Sequence, residues 1–227
     1  IIQKLTKVKN KSCPDIKQED LDFLEHQTAK TKIIIEYLLK GGIDDSLGKK
    51  DKTNLSDLFN SVKTTIEFEI NNHKGFSSLK KRNWSCDLII NCDENLKVGG
   101  NKYLLWNVIE NLAINAEEAI KSRKESGIIW ISAEKEESRV KIIVKSDGPP
   151  IDKEKIDYVK KVLQSSGKRE ELGKIDYPVD TLLQGYYNYG LGLKMVVWII
   201  KGKYNRDIRL ISKDNQSPVF EFTLEGV

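Results

Sequence analysis

The chain has 227 residues, 39% of them apolar and 32% charged, which suits a packed core under a solvated surface. Its 38 basic and 34 acidic residues leave +4, with both signs spread along the whole length; bulk charge therefore gives no reason to expect nucleic-acid binding. The longest apolar run, Met195–Ile200, is far shorter than the roughly 20 residues of a membrane helix, so no membrane contact is expected within this segment. Three cysteines, Cys13, Cys86 and Cys92, do not make a disulfide framework and suit a reducing, cytoplasmic compartment. With only two histidines, the sequence does not read as a zinc protein. It opens Ile-Ile-Gln, without initiator Met or signal-peptide pattern, and reads as a piece of something longer.

Residues 17–40 are expected to form one helix. Leu21, Leu24, Thr28, Thr31, Ile35 and Leu38 alternate at three- and four-residue intervals, the seam of a coiled coil or antiparallel bundle. Gly41-Gly42 ends it. Ile1–Val8 reads as the tail of a preceding helix, so that residues 1–42 form a partial helical hairpin of the kind that dimerises into four-helix bundles. Residues 43–52 are polar and turn-rich, a linker. Leu55–Asn72 is expected to be helical with Leu55, Leu58, Phe59, Val62 and Ile66 on one side. A short strand is expected at Asp87–Asn91 and a long helix over 101–122. A hairpin follows, Ile128–Glu134 and Val140–Lys145. Residues 152–189 read as a long irregular loop with at most one helix, near 153–164. The chain closes with a helix at 191–201 and strands at 207–212 and 218–224. This order gives an α+β class: a two-layer α/β sandwich with a mixed sheet and helices on one face.

Three motifs carry chemistry. In the first, Asn111 and Asn115 are one helical turn apart and project from the same face, beside a stripe of Leu104, Val108, Leu112 and Ala119. Stacked carboxamides offer oxygens to a hard cation and NH₂ groups to phosphate; a polar helix face bonding to nearby loops fits the same spacing. In the second, Ser146-Asp147-Gly148-Pro149-Pro150-Ile151 ends a strand and is, taken alone, a turn signal. In the third, Gly190-Leu191-Gly192-Leu193 opens an apolar helix, where free N–H groups suit a phosphate chain; a flexible junction before a buried helix reads the same way.

In this order the three motifs resemble the N box and the two glycine boxes of the catalytic, ATP-binding domain of sensor histidine kinases, within the superfamily of gyrase-type (GHKL, or Bergerat-fold) ATPases. The resemblance covers residues 53–227, and residues 17–40 resemble the second helix of that family's dimerisation hairpin. It implies that Asn115 and Asn111 hold Mg²⁺ and ATP phosphates. It implies further that Gly190, Leu191, Gly192 and Leu193 contact the phosphates, that Ser146, Asp147 and Gly148 line the adenine end, and that 152–189 is the ATP lid. The implied activity is transfer of the ATP γ-phosphoryl to a histidine on the hairpin of a homodimer, and onward to a response-regulator receiver domain. Gyrase-type relatives place a glutamate at the position of Asn111; an amide takes no proton at neutral pH, which favours phosphoryl transfer over hydrolysis. Glu110 is adjacent but points roughly 100° away.

The sequence departs from the family pattern at several places. The first glycine box of the family is Asp-x-Gly-x-Gly, and aligning on Gly148 puts Ser146 at the Asp and Pro150 at the second Gly. Exchanging the carboxylate acceptor for a hydroxyl costs roughly 1–2 kcal/mol, about 5- to 30-fold in affinity. Asn188 stands where a glycine is frequent. The phosphoacceptor pattern is not reproduced at His26, which Gln27 follows, nor at His73, expected in a turn; the acceptor is expected upstream of Ile1, with His26 the candidate inside the chain. Two rival readings follow: a degenerate, non-catalytic dimeric scaffold, or an ATP-gated conformational switch.

Overall fold

The computed structural model describes residues 51–73, 85–123, 126–176, 191–212 and 216–227, together with eight helical positions between 21 and 35. A short strand β1 (Lys52–Asn54) leads straight into helix α1 (Leu55–His73). Strand β2 (Ser85–Asn91), strand β3 (Lys97–Gly99) and helix α2 (Lys102–Arg123) follow, then the hairpin of β4 (Ser126–Glu136) and β5 (Arg139–Ser146). Helix α3 (Lys153–Gln164), the single turn α4 (Arg169–Leu172), helix α5 (Leu191–Val197) and strands β6 (Ile208–Leu210) and β7 (Val219–Glu225) complete the described chain. Beyond Val197 the coil widens to π winding over Trp198–Lys203, with the Tyr204 N–H reaching back to Ile199 O at 3.1 Å.

The main sheet has the order β2-β4-β5-β7-β6. β2 pairs parallel to β4, and every other neighbour pair is antiparallel. Residues alternate strictly on the hairpin: Ile129, Ile131, Val140, Ile142 and Val144 are all but sealed from solvent, and they share one face because side chains alternate with period two. Helices α2 and α5 pack together, and α2 lies against β4 and β5. The opposite face carries Trp130, half-buried, with the Lys145 ammonium 5.1 Å from the ring centroid, a cation–π contact. The expected mixed sheet with helices on one face is thus the observed architecture.

The apolar stripe expected on α1 is the buried one: Leu55, Leu58, Phe59, Val62 and Ile66 are at most 1% exposed. Its start is fixed by Asn54, whose Oδ1 accepts the Asp57 N–H at 3.1 Å, an N-cap. The helix runs through His73, so that residue is not in a turn. Two three-residue strands were not expected, β1 and β3, which pair antiparallel as a separate small sheet; at three residues each, they carry no periodicity to read. The expected irregular stretch 152–189 is described as far as residue 176. The one helix expected in it, near 153–164, is α3, which places Tyr158, Val159 and Val162 in the core, and Leu172 of α4 is fully buried. That spacing is an amphipathic helix against the sheet; residues 177–189 lie outside the described residues. Among the described residues no helix is long and apolar enough to cross a membrane.

Candidate functional site

Helix α2 is aimed by its first turn. Asn101, 7% exposed, accepts the N–H groups of Tyr103 and Leu104 on its Oδ1 at 2.9 and 3.2 Å, satisfying two of the donors a helix start leaves orphaned. The backbone N–H of Asn101 donates to the Tyr204 hydroxyl at 3.1 Å, tying this end to the chain just past the π-wound segment. Tyr204 is partly buried against the core, and that burial pushes its phenol above the usual range. Gly100 adopts φ +149°, and a Cβ there would meet the Tyr204 ring at 2.7 Å, so only glycine fits this corner.

Along α2, Leu104, Val108 and Leu112 are buried as the stripe predicts, while Asn111 and Asn115 are half-buried. The Asn111 amide nitrogen donates to the Asn107 backbone oxygen at 2.7 Å and to Asn107 Oδ1 at 3.0 Å. With its nitrogen tied into the preceding turn, Asn111 is left with its oxygen as the group for an incoming cation. Asn107 is fully buried and was not singled out by its sequence. The signal was present all the same: positions 107, 111 and 115 repeat the same four-residue interval, one turn further back. Glu110 is also fully buried.

The first glycine box is built differently from its sequence reading. Ser146 is the last residue of β5, 5% exposed and in line with Val140, Ile142 and Val144 on the helix-covered face. Its Oγ accepts the Gly148 N–H at 3.3 Å. Gly148 packs against α2: a Cβ there would come within 3.2 Å of both Ile120 Cγ1 and Ser146 Oγ. Asp147 turns instead to the neighbouring strand. Its N–H donates to Ile128 O at 3.1 Å, and its Oδ1 accepts the Ile128 N–H at 2.8 Å, extending the β4–β5 ladder past its last residue pair. Gly127 makes room for that carboxylate, since a Cβ there would lie 2.7 Å from Asp147 Oδ1. Ser146 and Gly148 thus stay with α2, whereas Asp147 is engaged in closing the hairpin.

At the second glycine box, α5 begins at Leu191, with Leu191 half-buried and Gly192 and Leu193 buried. The first N–H groups of this coil are those a helix leaves without intrahelical partners. Lys194, one residue on, is half-buried; burial lowers its pKa, partly offset by the Asp176 carboxylate. Gly190, Asn188 and the phosphoacceptor candidate His26 lie outside the described residues. Glu25, beside His26, accepts a 3.0 Å hydrogen bond from the Tyr103 hydroxyl at the start of α2. For a cation the donor set is amide oxygen. Among the described residues no cluster of three His, Cys, Asp or Glu could hold a metal alone, whereas Mg²⁺ commonly binds through a few protein oxygens plus substrate phosphates and water. Asn111 and Asn115 fit that mode.

Residues 100–226 match the family model described as histidine kinase-, DNA gyrase B- and HSP90-like ATPase. The chain belongs to this family. Among solved structures, the nucleotide-free catalytic domain of histidine kinase ThkA superposes with a TM-score of 0.51 at 24% identity, over 77% of this chain and 96% of that one. ThkA in complex with the response regulator protein TrrA gives 0.55 at 18% identity, over all of this chain and 55% of that one. Full-length ShkA in complex with AMPPNP gives 0.55 at 15%, over 91% of this chain and 37% of that one. At these identities the likeness establishes the fold. No curated protein matches by sequence. The chain is therefore a histidine-kinase-like ATPase catalytic domain, and the fold of this ATPase family implies ATP binding.

Proposed function

We propose that this ATPase domain is the catalytic core of a sensor histidine kinase, which passes the ATP γ-phosphoryl to a histidine on a dimerisation hairpin. The observation that carries the reading is the state of the N box. Asn111 is anchored by its nitrogen on Asn107, and the neighbouring carboxylate, Glu110, is fully buried within the helix packing. Glu110 is thereby withheld as a general base for water, and an amide at 111 takes no proton, which favours transfer to a nitrogen nucleophile over hydrolysis.

In this mechanism the Asn111 and Asn115 oxygens would hold Mg²⁺, whose charge would offset that of the phosphates. The leading N–H groups of α5, from Leu191 to Leu193, receive phosphate oxygens. Ser146 faces the adenine amino group. A histidine ring nitrogen then bonds to the γ-phosphorus while the bond to the β,γ-bridging oxygen breaks, and ADP leaves with that electron pair. A response-regulator aspartate is the onward acceptor. The hairpin reading draws support from Leu24 and Ile35, seam positions that are 47% and 48% exposed, as apolar groups awaiting a second copy would be.

Calorimetric titration with ATP, with and without Mg²⁺, tests the proposal. Magnesium-dependent binding is expected, and Asn115→Ala should abolish it; no heat at millimolar ATP sinks the reading. A second reading, a dimeric scaffold with a relic pocket, is favoured by one observation: Ser146 replaces a carboxylate and its hydroxyl already serves Gly148. It predicts that Asn115→Ala leaves biological activity intact.

A further inference from the structure

Strand β6 is the outer edge of the main sheet. It pairs with β7 in the register Ile208↔Phe222, Arg209↔Glu221 and Leu210↔Phe220. The Ile211 N–H donates to Val219 O at 2.9 Å, which makes Ile211 and Val219 a hydrogen-bonded pair. Such pairs alternate in an antiparallel ladder. Arg209 therefore bonds inward to Glu221, while Ile208 and Leu210 direct their N–H and C=O groups away from β7, toward the free edge. Three residues of edge strand present a short template for another strand.

Beside that edge lies a cleft of about 740 Å³, walled by β6 and one face of α3. Ile156, Leu163 and Leu210 contribute an apolar floor, each partly buried. Among the described lining residues four are cations, Lys153, Lys160, Lys201 and Arg209, and one is a carboxylate, Asp207. Asp207 is already met by Lys201 at 3.4 Å. Asn111, Asn115, Ser146 and the leading residues of α5 do not line this cleft, whereas Pro150 and Ile151 of the glycine-box segment do, beside an α3 that lies in the stretch the resemblance reads as the lid.

We propose that the cleft between α3 and β6 binds an extended acidic segment of a partner protein, which adds to β6 as one more strand. The alternation of a strand matches the setting. On the helix side the added strand meets Ile156 and Leu163 together with Lys153 and Lys160 of the same α3 face, so that side takes both apolar and acidic side chains, and acidic residues on the open face meet Arg209. Cationic surplus selects an acidic partner and rejects a basic one.

A fluorescein-labelled octapeptide repeating Glu-Glu-Val-Val is the probe, which puts both residue types on each face of a strand, with the Lys-Lys-Val-Val octapeptide as its counterpart. Fluorescence anisotropy should show the acidic peptide binding and the basic one not. Joint Lys153→Glu and Lys160→Glu substitution should weaken binding by about tenfold. Leu210→Pro removes the outward N–H, which an edge strand tolerates, and should weaken binding by about tenfold relative to Leu210→Ala, which controls for lost packing. On the unmutated protein, amide exchange at Ile208 and Leu210 should slow when the acidic peptide is added. The proposal is overturned if the acidic peptide fails to bind at millimolar concentration, or if the basic peptide binds equally well. Unchanged exchange at Ile208 and Leu210, or a single-stranded oligonucleotide competing the acidic peptide away from the same lysines with higher affinity, also overturns it.

Discussion

Replacing Asn107 by alanine removes one of the two acceptors that hold the Asn111 amide, and the backbone acceptor remains. The expected cost is about 1 kcal/mol, or roughly fivefold in Mg·ATP affinity by calorimetry, without the complete loss expected for Asn115→Ala. Gly100→Ala should be severe for a different reason. The new methyl meets Tyr204 at a backbone angle that side chains avoid, and a loss of more than about 2 kcal/mol is expected in urea denaturation. Gly99→Ala, whose methyl would find only Val227 at 3.9 Å, should stay within about 0.5 kcal/mol. At this scale the site was partly legible. The four-residue interval of Asn111 and Asn115 is local, so sequence alone placed them on one face. The engagement of Asp147 was not legible, because its partner Ile128 is brought opposite only by the register of two strands.

Helix α3 is the one helix that the long loop was expected to hold, and its docking on the core is what went unread. Its charged residues dominate the composition, but Tyr158, Val159 and Val162 fall on one side and are buried. Val162→Ala should cost about 1–3 kcal/mol in thermal or chemical denaturation, where an undocked loop would show almost nothing. The hairpin β4–β5 and the stripe of α1 were readable because alternation and three-to-four spacing are strong over many residues. β1 and β3 were not, since three residues are too short for a period and gain strand geometry from each other, from the Gly100 N–H bond to Asp51 O at 2.7 Å and from the Val227 N–H on Lys97 O at 3.2 Å. The seam between 17 and 40 extends beyond the described positions, and its test is the oligomeric state of the chain in solution.

For the molecule as a whole, alkaline titration should follow its two described thiols. Burial, with the carboxylates of Glu117, Asp87 and Asp147 adding to it, raises Cys86 from 9.0 to about 12; burial, then Asp93, raises Cys92 from 9.0 to about 11. The folded chain keeps these protons after the unfolded chain has released them. Stability should therefore be flat with respect to these groups below pH 8 and fall from about pH 9 to about pH 12. Denaturation midpoints across that range check the sign. Peptide mapping after iodoacetamide at neutral pH should find Cys86 and Cys92 unmodified, because the thiolate is the reactive form.

The uneven clothing of the sheet has an optical consequence. Trp106 lies beside Asn107 on α2, 1% exposed, and Trp198 is 2% exposed on the coil behind the second glycine box, while Trp130 stands half-buried on the uncovered face under the Lys145 ammonium. Of these three, iodide in solution should reach Trp130 and not the other two. In a Trp84→Phe background, which silences the fourth tryptophan, the quenchable fraction of the emission should watch the sheet face opposite the helices, and the protected blue-shifted fraction the helices of the proposed nucleotide site.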